Sequence, residues 1–195
     1  MTGGAAAEAM TDIRALVLDA DGVLTDGRIY MGPDGSSARA FHVQDGLAIH
    51  WFQKLGGLVI VISGKASPAL EARTRELGIE HVIQGSRDKL ADLLALLEPR
   101  ALSLEQLAMI GDDLVDLPIL RRCGYPIAVA NAVAEVKAVA RYVTRRAGGH
   151  GAVREAIEHL LRATGGWEQV LEHYGAAPSA AEDPGEGIGP TWPAT

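Results

Sequence analysis

Short apolar runs bounded by turn residues recur along the chain and alternate with stretches of helical spacing. Ile13 to Leu18 is short, largely aliphatic and followed by turn residues, which predicts a strand buried on both faces. Leu58 to Ile62, Ile79 to Gln84, Ala108 to Ile110, Ile127 to Val129 and Tyr142 to Thr144 read the same way. Between them lie helical patterns. Leu47 to Leu55 is closed by Gly56-Gly57, and Ser67-Pro68 opens a helix that runs to about Leu77 and stops at Gly78. Gly85-Ser86 starts a helix that carries Lys89 and runs to Leu97. Further helices are predicted over Leu114 to Cys123, with Pro118 near the start, Ala132 to Ala140, Ala152 to Ala163 and Trp167 to Tyr174. Ser103-Leu104-Glu105-Gln106 is a capping box that predicts a short helical turn.

One segment breaks this alternation. Arg28 to Met31 and Ala38 to Val43 flank Gly32-Pro33-Asp34-Gly35, strong turn chemistry that predicts a hairpin standing like a flap beside the Asp-rich loop that follows the first strand. Asp45-Gly46 ends its second arm, and Gly148 to Gly151 reads as a flexible connector. Strands alternating with helices imply an α/β fold: a Rossmann-like parallel sheet with helices on both faces. Residues 11–174 form one domain in this reading. Residues 1–10 are a disordered arm, and residues 175–195, rich in Ala, Pro, Gly and acidic side chains, are a disordered tail.

Composition narrows the partners. At 195 residues and 48% hydrophobic content the chain can bury one good core. A formal charge of -7, with 18 basic residues scattered, argues against nucleic-acid or anionic-membrane partners. No apolar run approaches the ~20 residues that a membrane helix requires. The N-terminus lacks a signal peptide's basic and apolar regions, and the single Cys123 can form no intrachain disulfide. These features fit a cytoplasmic protein.

The chemistry collects at strand ends. Asp19 and Asp21 close the first apolar run at spacing i, i+2, so both carboxylates can project toward one centre. Ser63-Gly64 follows the second run, Lys89 lies on the helix after the third, and Asp112-Asp113 follows the fourth. A single Asp at a strand end is usually a helix cap, and a single Lys is usually solvated. Four polar clusters along one edge of one sheet indicate a site instead. Carboxylates from two strand ends suit Mg²⁺, whereas Ser63, the Gly64 turn and Lys89 make an anion cradle. Mg²⁺ beside an anion cradle points to phosphate, and a carboxylate nucleophile to phosphoryl transfer through an aspartyl-phosphate. A carboxylate about 4 Å from a phosphate dianion is repelled by roughly 8 kcal/mol at an effective dielectric of 20, so the cations are required.

Asp19-Ala20-Asp21-Gly22-Val23, Ser63, Lys89 and Gly111-Asp112-Asp113 resemble the four motifs of haloacid dehalogenase-superfamily phosphatases. Leu18 to Gly27, Phe41 to Gly46, Gly111 to Pro118 and Gly148 to Glu155 are similar to the cap-less branch typified by 3-deoxy-D-manno-octulosonate 8-phosphate phosphatase. The resemblance spans about residues 13–165. It implies Asp19 as nucleophile and metal ligand, and Asp21 as general acid/base with its carbonyl on the metal. It also implies Asp112 as the third ligand, Asp113 as the residue orienting the cationic partner, and Ser63 and Lys89 as phosphoryl holders. Gly64 and Lys65 belong to the phosphate- and substrate-binding set. The segments from Asp21 to Ser63 and from Lys89 to Asp112 are too short for the cap domain of larger relatives.

Three departures stand out: Lys65 where arginine is common, Gln44 where a basic residue is frequent, and the tail after Tyr174. Arg154 and Gly148 to Gly151 are candidates for reading a substrate carboxylate. His42 and His50 read as packing or exposed groups, His150 as an open one without a catalytic role, and Trp51-Phe52 as core or interface. The leading expectation is a Mg²⁺-dependent phosphatase of a 2-keto-3-deoxy sugar acid, assembled as a homotetramer in which a neighbour roofs each cleft. The alternatives are an N-acylneuraminate 9-phosphate phosphatase of the same branch and a non-catalytic oligomerisation module.

Overall fold

The structure, a computed structural model, describes residue 10 and residues 12–176. The predicted N-terminal arm, apart from Met10, and the tail beyond Ala176 lie outside the described residues. Six strands form one parallel sheet: β1 (Ala15–Asp19), β4 (Leu58–Ser63), β5 (His81–Gln84), β6 (Leu107–Gly111), β7 (Tyr125–Ala128) and β8 (Tyr142–Val143). Their spatial order is β5-β4-β1-β6-β7-β8. Every residue of β1 and β6 is buried, as their unbroken apolar runs require of central parallel strands.

The order explains the helix layers. From β1 the chain steps outward through α1 (Val43–Lys54) to β4 and through α2 (Pro68–Glu76) to β5. It then crosses to the other half through α3 (Lys89–Leu97) to β6, and continues through α4 (Leu117–Leu120) to β7 and α5 (Ala134–Val139) to β8. Right-handed crossovers run in opposite directions from the centre, so they lay their helices on opposite faces. Accordingly α3 packs on α4 and α4 on α5, whereas α6 (Ala152–Ala163) returns to pack on α1 and carries α7 (Gly166–His173). The direction reverses between β1 and β6, the position at which such sheets bind ligands.

Local chemistry sets most element ends. Ser67 caps α2 by accepting from the Leu70 N–H at 3.4 Å, with Pro68 in the first turn. Asp88 caps α3 by accepting from Ala91, which starts that helix at Lys89 and not at Gly85. The capping box at Ser103 forms as read, with the Ser103 N–H on the Gln106 side chain at 3.0 Å. Three further expectations change. The hairpin pairs only β2 (Tyr30–Met31) with β3 (Ser37–Ala38), plus a Thr25–Phe41 bridge at its root. Helix α1 begins at Val43, four residues before the predicted start, because Asp45-Gly46 continues the helix instead of breaking it. The predicted helix over Leu114 to Cys123 divides into a 3₁₀ turn (Leu114–Asp116) and α4, since Pro118 lacks the N–H that a continuous helix would use.

Candidate active site

The C-terminal ends of β1, β4 and β6 place three of the predicted clusters side by side, and α3 delivers the fourth. Lys89 opens α3 with its side chain buried, and its Nζ donates to Asp19 Oδ1 at 2.6 Å and to Asp116 Oδ1 at 2.8 Å. Asp116 is fully buried in the 3₁₀ turn after β6, where its Oδ2 also accepts from the Asp112 N–H at 3.1 Å. Ligand atoms of Asp19, Asp112 and Asp116 lie within 4.8 Å of one another.

Crowding of three carboxylates in a buried space has an electrostatic consequence. Burial, and next the charge of Asp116, push Asp19 up to about 6 despite Lys89. Asp112 is pushed up to about 8, by burial first and then by Asp19 and Asp116. Burial alone would lower the Lys89 ammonium, but the two carboxylates outweigh it and hold it above its ordinary value. One ammonium therefore balances three acids incompletely. The buried Asp112 Oδ1 has no hydrogen-bond partner, and Asp116 is already committed to Lys89 and to backbone amides. Asp19 and Asp112 thus present an all-oxygen donor set with unneutralised negative charge, which a hard divalent cation fits.

The turn Ala20–Leu24 explains the glycines of the first motif. Gly22 has φ +100°, and any Cβ on it would collide with the Asp112 carboxylate. Its carbonyl is in turn approached so closely by Gly148 that a side chain there would overlap it. Gly149 N–H donates to the Val23 carbonyl at 3.0 Å, and Gly148 N–H to Asn131 Oδ1 at 2.8 Å. The segment predicted as a flexible connector is therefore a packed brace behind the Asp19–Asp21 turn; its glycines serve close approach.

Asp21, two residues past Asp19 on the same turn, pairs with Arg39, whose Nε lies 2.6 Å from Oδ1. Ser63 is buried at the end of β4, and its Oγ accepts from the Lys65 N–H at 3.2 Å. Gly64 and Lys65 are exposed on the loop above it. Asp113 is exposed and caps its own turn through the Leu114 N–H. The orienting of the cationic partner expected of Asp113 is performed by Asp116, because only the buried third residue of that turn faces Lys89.

Arg154 lies apart from the cluster. Its guanidinium pairs with Glu158 at 2.7 Å and stacks 4.7 Å from the Trp167 ring centre. With Gln44, Arg145, Arg146, Glu155 and Glu158 it lines a shallow cleft of about 300 Å³ that none of the clustered acids enters. Gln44 there accepts from Arg146 at 3.1 Å. His42 is half-buried at the N-terminus of α1 beside Gly151, without a capping hydrogen bond, His50 and His150 are exposed, and Trp51 and Phe52 are core, as read. Sequence reasoning missed Asp116 and Arg39. Three aspartates within five residues before a proline offered a signal for the first. The second had none, since its partner is 18 residues away.

Comparison with known proteins agrees with this geometry. The haloacid dehalogenase-like hydrolase family matches residues 48–157. The 3-deoxy-D-manno-octulosonate 8-phosphate phosphatase of Escherichia coli is 45% identical over 154 residues, covering 79% of this chain and 82% of that enzyme. The crystal structure of the Moraxella catarrhalis phosphatase of the same name, in complex with magnesium, phosphate and KDO, superposes with a TM-score of 0.84 at 37% identity. It covers 86% of this chain and 97% of that one. The cobalt-bound Haemophilus influenzae enzyme gives 0.77 at 38% identity, covering 80% and 92%. The chain belongs to the haloacid dehalogenase-like hydrolase family, in the group that contains the 3-deoxy-D-manno-octulosonate 8-phosphate phosphatases.

Proposed function

We propose that this chain is a Mg²⁺-dependent phosphatase acting on the phosphate monoester of a 2-keto-3-deoxy sugar acid, with 3-deoxy-D-manno-octulosonate 8-phosphate as its substrate. The observation that carries the reading is the Asp19 carboxylate held by Lys89, itself anchored on Asp116, beside the unpaired oxygen of Asp112 at the switch point of the sheet. Asp19 attacks phosphorus and forms an aspartyl-phosphate as the bond from phosphorus to the sugar oxygen breaks. Asp21 gives the leaving alkoxide its proton, then takes one from the water that hydrolyses the acyl phosphate. Ser63, the Gly64 turn and Lys89 hold the phosphoryl oxygens, and Lys65 stands at the mouth. Asp19, the Asp21 carbonyl and Asp112 would hold Mg²⁺, which supplies the positive charge that offsets repulsion between nucleophile and phosphate.

No helix among the described residues is long and apolar enough to cross a membrane, which supports a cytoplasmic enzyme. A homotetramer is part of the same reading. The hairpin offers no more than a partial roof, and specificity beyond the phosphate calls for a neighbour's surface.

Purified protein assayed on a panel of sugar-acid phosphates, with and without EDTA, tests the reading. The octulosonate 8-phosphate should be cleaved fastest, and excess EDTA should abolish turnover. Asp19→Asn should lower turnover by more than about 10³-fold without loss of fold, since the carboxylate itself makes the bond. Preference for a nine-carbon acylneuraminate phosphate would reassign the substrate; full turnover in EDTA would remove the metal from the account.

A further inference from the structure

Arg39 is the basic residue of the hairpin whose side chain reaches Asp21. It follows β3 by one residue, and its side chain is 4% exposed although the hairpin around it is open to solvent. The guanidinium forks over Asp21: Nε donates to Oδ1 at 2.6 Å, and Nη2 lies 3.5 Å from Oδ2. Nη1 donates to Ser67 Oγ at 2.7 Å. Ser67 is itself immobilised, because its N–H donates to Gln84 Oε1 on β5 at 2.8 Å while its Oγ caps α2. The fork is thus anchored, through Ser67, to the rigid sheet. Among the described residues Asp21 has no other side-chain hydrogen-bond partner. Its carboxylate, on a turn two residues past β1, owes its direction to Arg39.

We infer that Arg39 is the positioning residue for the acid of this enzyme, so that the hairpin sets the aim of Asp21 as well as flanking the cleft. The inference rests on the phosphatase reading above. A planar fork fixes a carboxylate in two directions, which the point charge of a lysine cannot do. The same reach joins the hairpin, the Asp19–Asp21 turn and the head of α2, three segments that the backbone leaves largely separate.

The test is a double-mutant cycle on the full chain with two substrates: the preferred sugar-acid phosphate, whose alkoxide must be protonated, and p-nitrophenyl phosphate, whose leaving group needs no acid. Arg39→Ala should lower kcat on the sugar phosphate by about 10- to 100-fold with KM changed less than about 3-fold. The p-nitrophenolate burst should slow by less than about 3-fold. In an Asp21→Asn background, Arg39→Ala should cost almost nothing further, since both changes remove the same function. Arg39→Lys should restore only part of the loss, and should Arg39→Ala fail to fold, this variant carries the same comparisons. Losses that multiply, equal slowing of the burst, or a rise in KM alone would overturn the inference while leaving the phosphatase reading intact. A wild-type protein that cleaves neither substrate would overturn both.

Discussion

Asp19, Asp112 and Asp116 meet in one buried space with a single ammonium between them, and that imbalance has a measurable sign. Asp19 at about 6 and Asp112 at about 8 both stand above the 3.8 of an unperturbed aspartate. The native state therefore keeps protons that the unfolded chain has released, and the contribution of these groups to stability falls as pH rises from about 4 through about 8. A bound divalent cation displaces those protons and removes the penalty. The rise in Tm on adding Mg²⁺ to metal-free protein should therefore be larger near pH 8.5 than near pH 5.5. Equal shifts in a calorimetric scan at the two pH values would contradict this. Gly22 belongs to the same scale: its left-handed φ and its closeness to Asp112 leave room for no other residue.

Helix α6 illustrates how elements support each other. Its N-cap is Gly151, in the left-handed region with no side chain to accept from the first turn. Asp45, buried in the first turn of α1, supplies the acceptor from 109 residues away: its Oδ1 takes the Arg154 N–H at 2.7 Å. This cap also explains why α1 starts early, since Asp45 has to be helical to face α6. Asp45→Ala should destabilise the protein by about 1–2 kcal/mol, lowering Tm by roughly 2–8 °C for a chain of this size. Asp45→Asn, which keeps the acceptor and carries no charge to be penalised by burial, should cost less. Thermal melts that rank the two in reverse would refute the cap.

For the whole molecule, the hairpin and the start of α1 present an apolar surface that the described fold leaves uncovered. Met31 is 67% exposed, Val43 81%, and Tyr30, Ile29 and Leu47 are exposed as well. A two-stranded hairpin this short is marginal alone, and apolar patches of this kind mark interfaces. Light scattering at micromolar concentration should give a tetramer for wild type. Met31→Lys should shift it toward smaller species with reduced turnover on the sugar phosphate, while a fully active wild-type monomer would defeat the assembly and its account of specificity.

The sheet and most of the candidate site were legible in the sequence because their signals are local. Unbroken apolar runs mark β1, β4 and β6, and in parallel sheets the residue that follows such a run is carried to the ligand edge, so the sequence alone assigns Asp19, Ser63 and Asp112 to that edge. Other parts depended on residues far apart in the chain. Asp116 became the partner of Lys89, 27 residues away, because the turn after β6 buries it and leaves Asp113 in solvent. Arg39 met Asp21 only through the fold of the hairpin, Arg154 was drawn to Glu158 and Trp167 and away from the cleft, and Gly148 proved to be a brace for Gly22. Hydrophobic period and turn chemistry determine where strands and their polar ends fall. Which charge faces which is decided by packing, since burial removes water as a competing partner and leaves each ionised group the neighbours that the topology supplies.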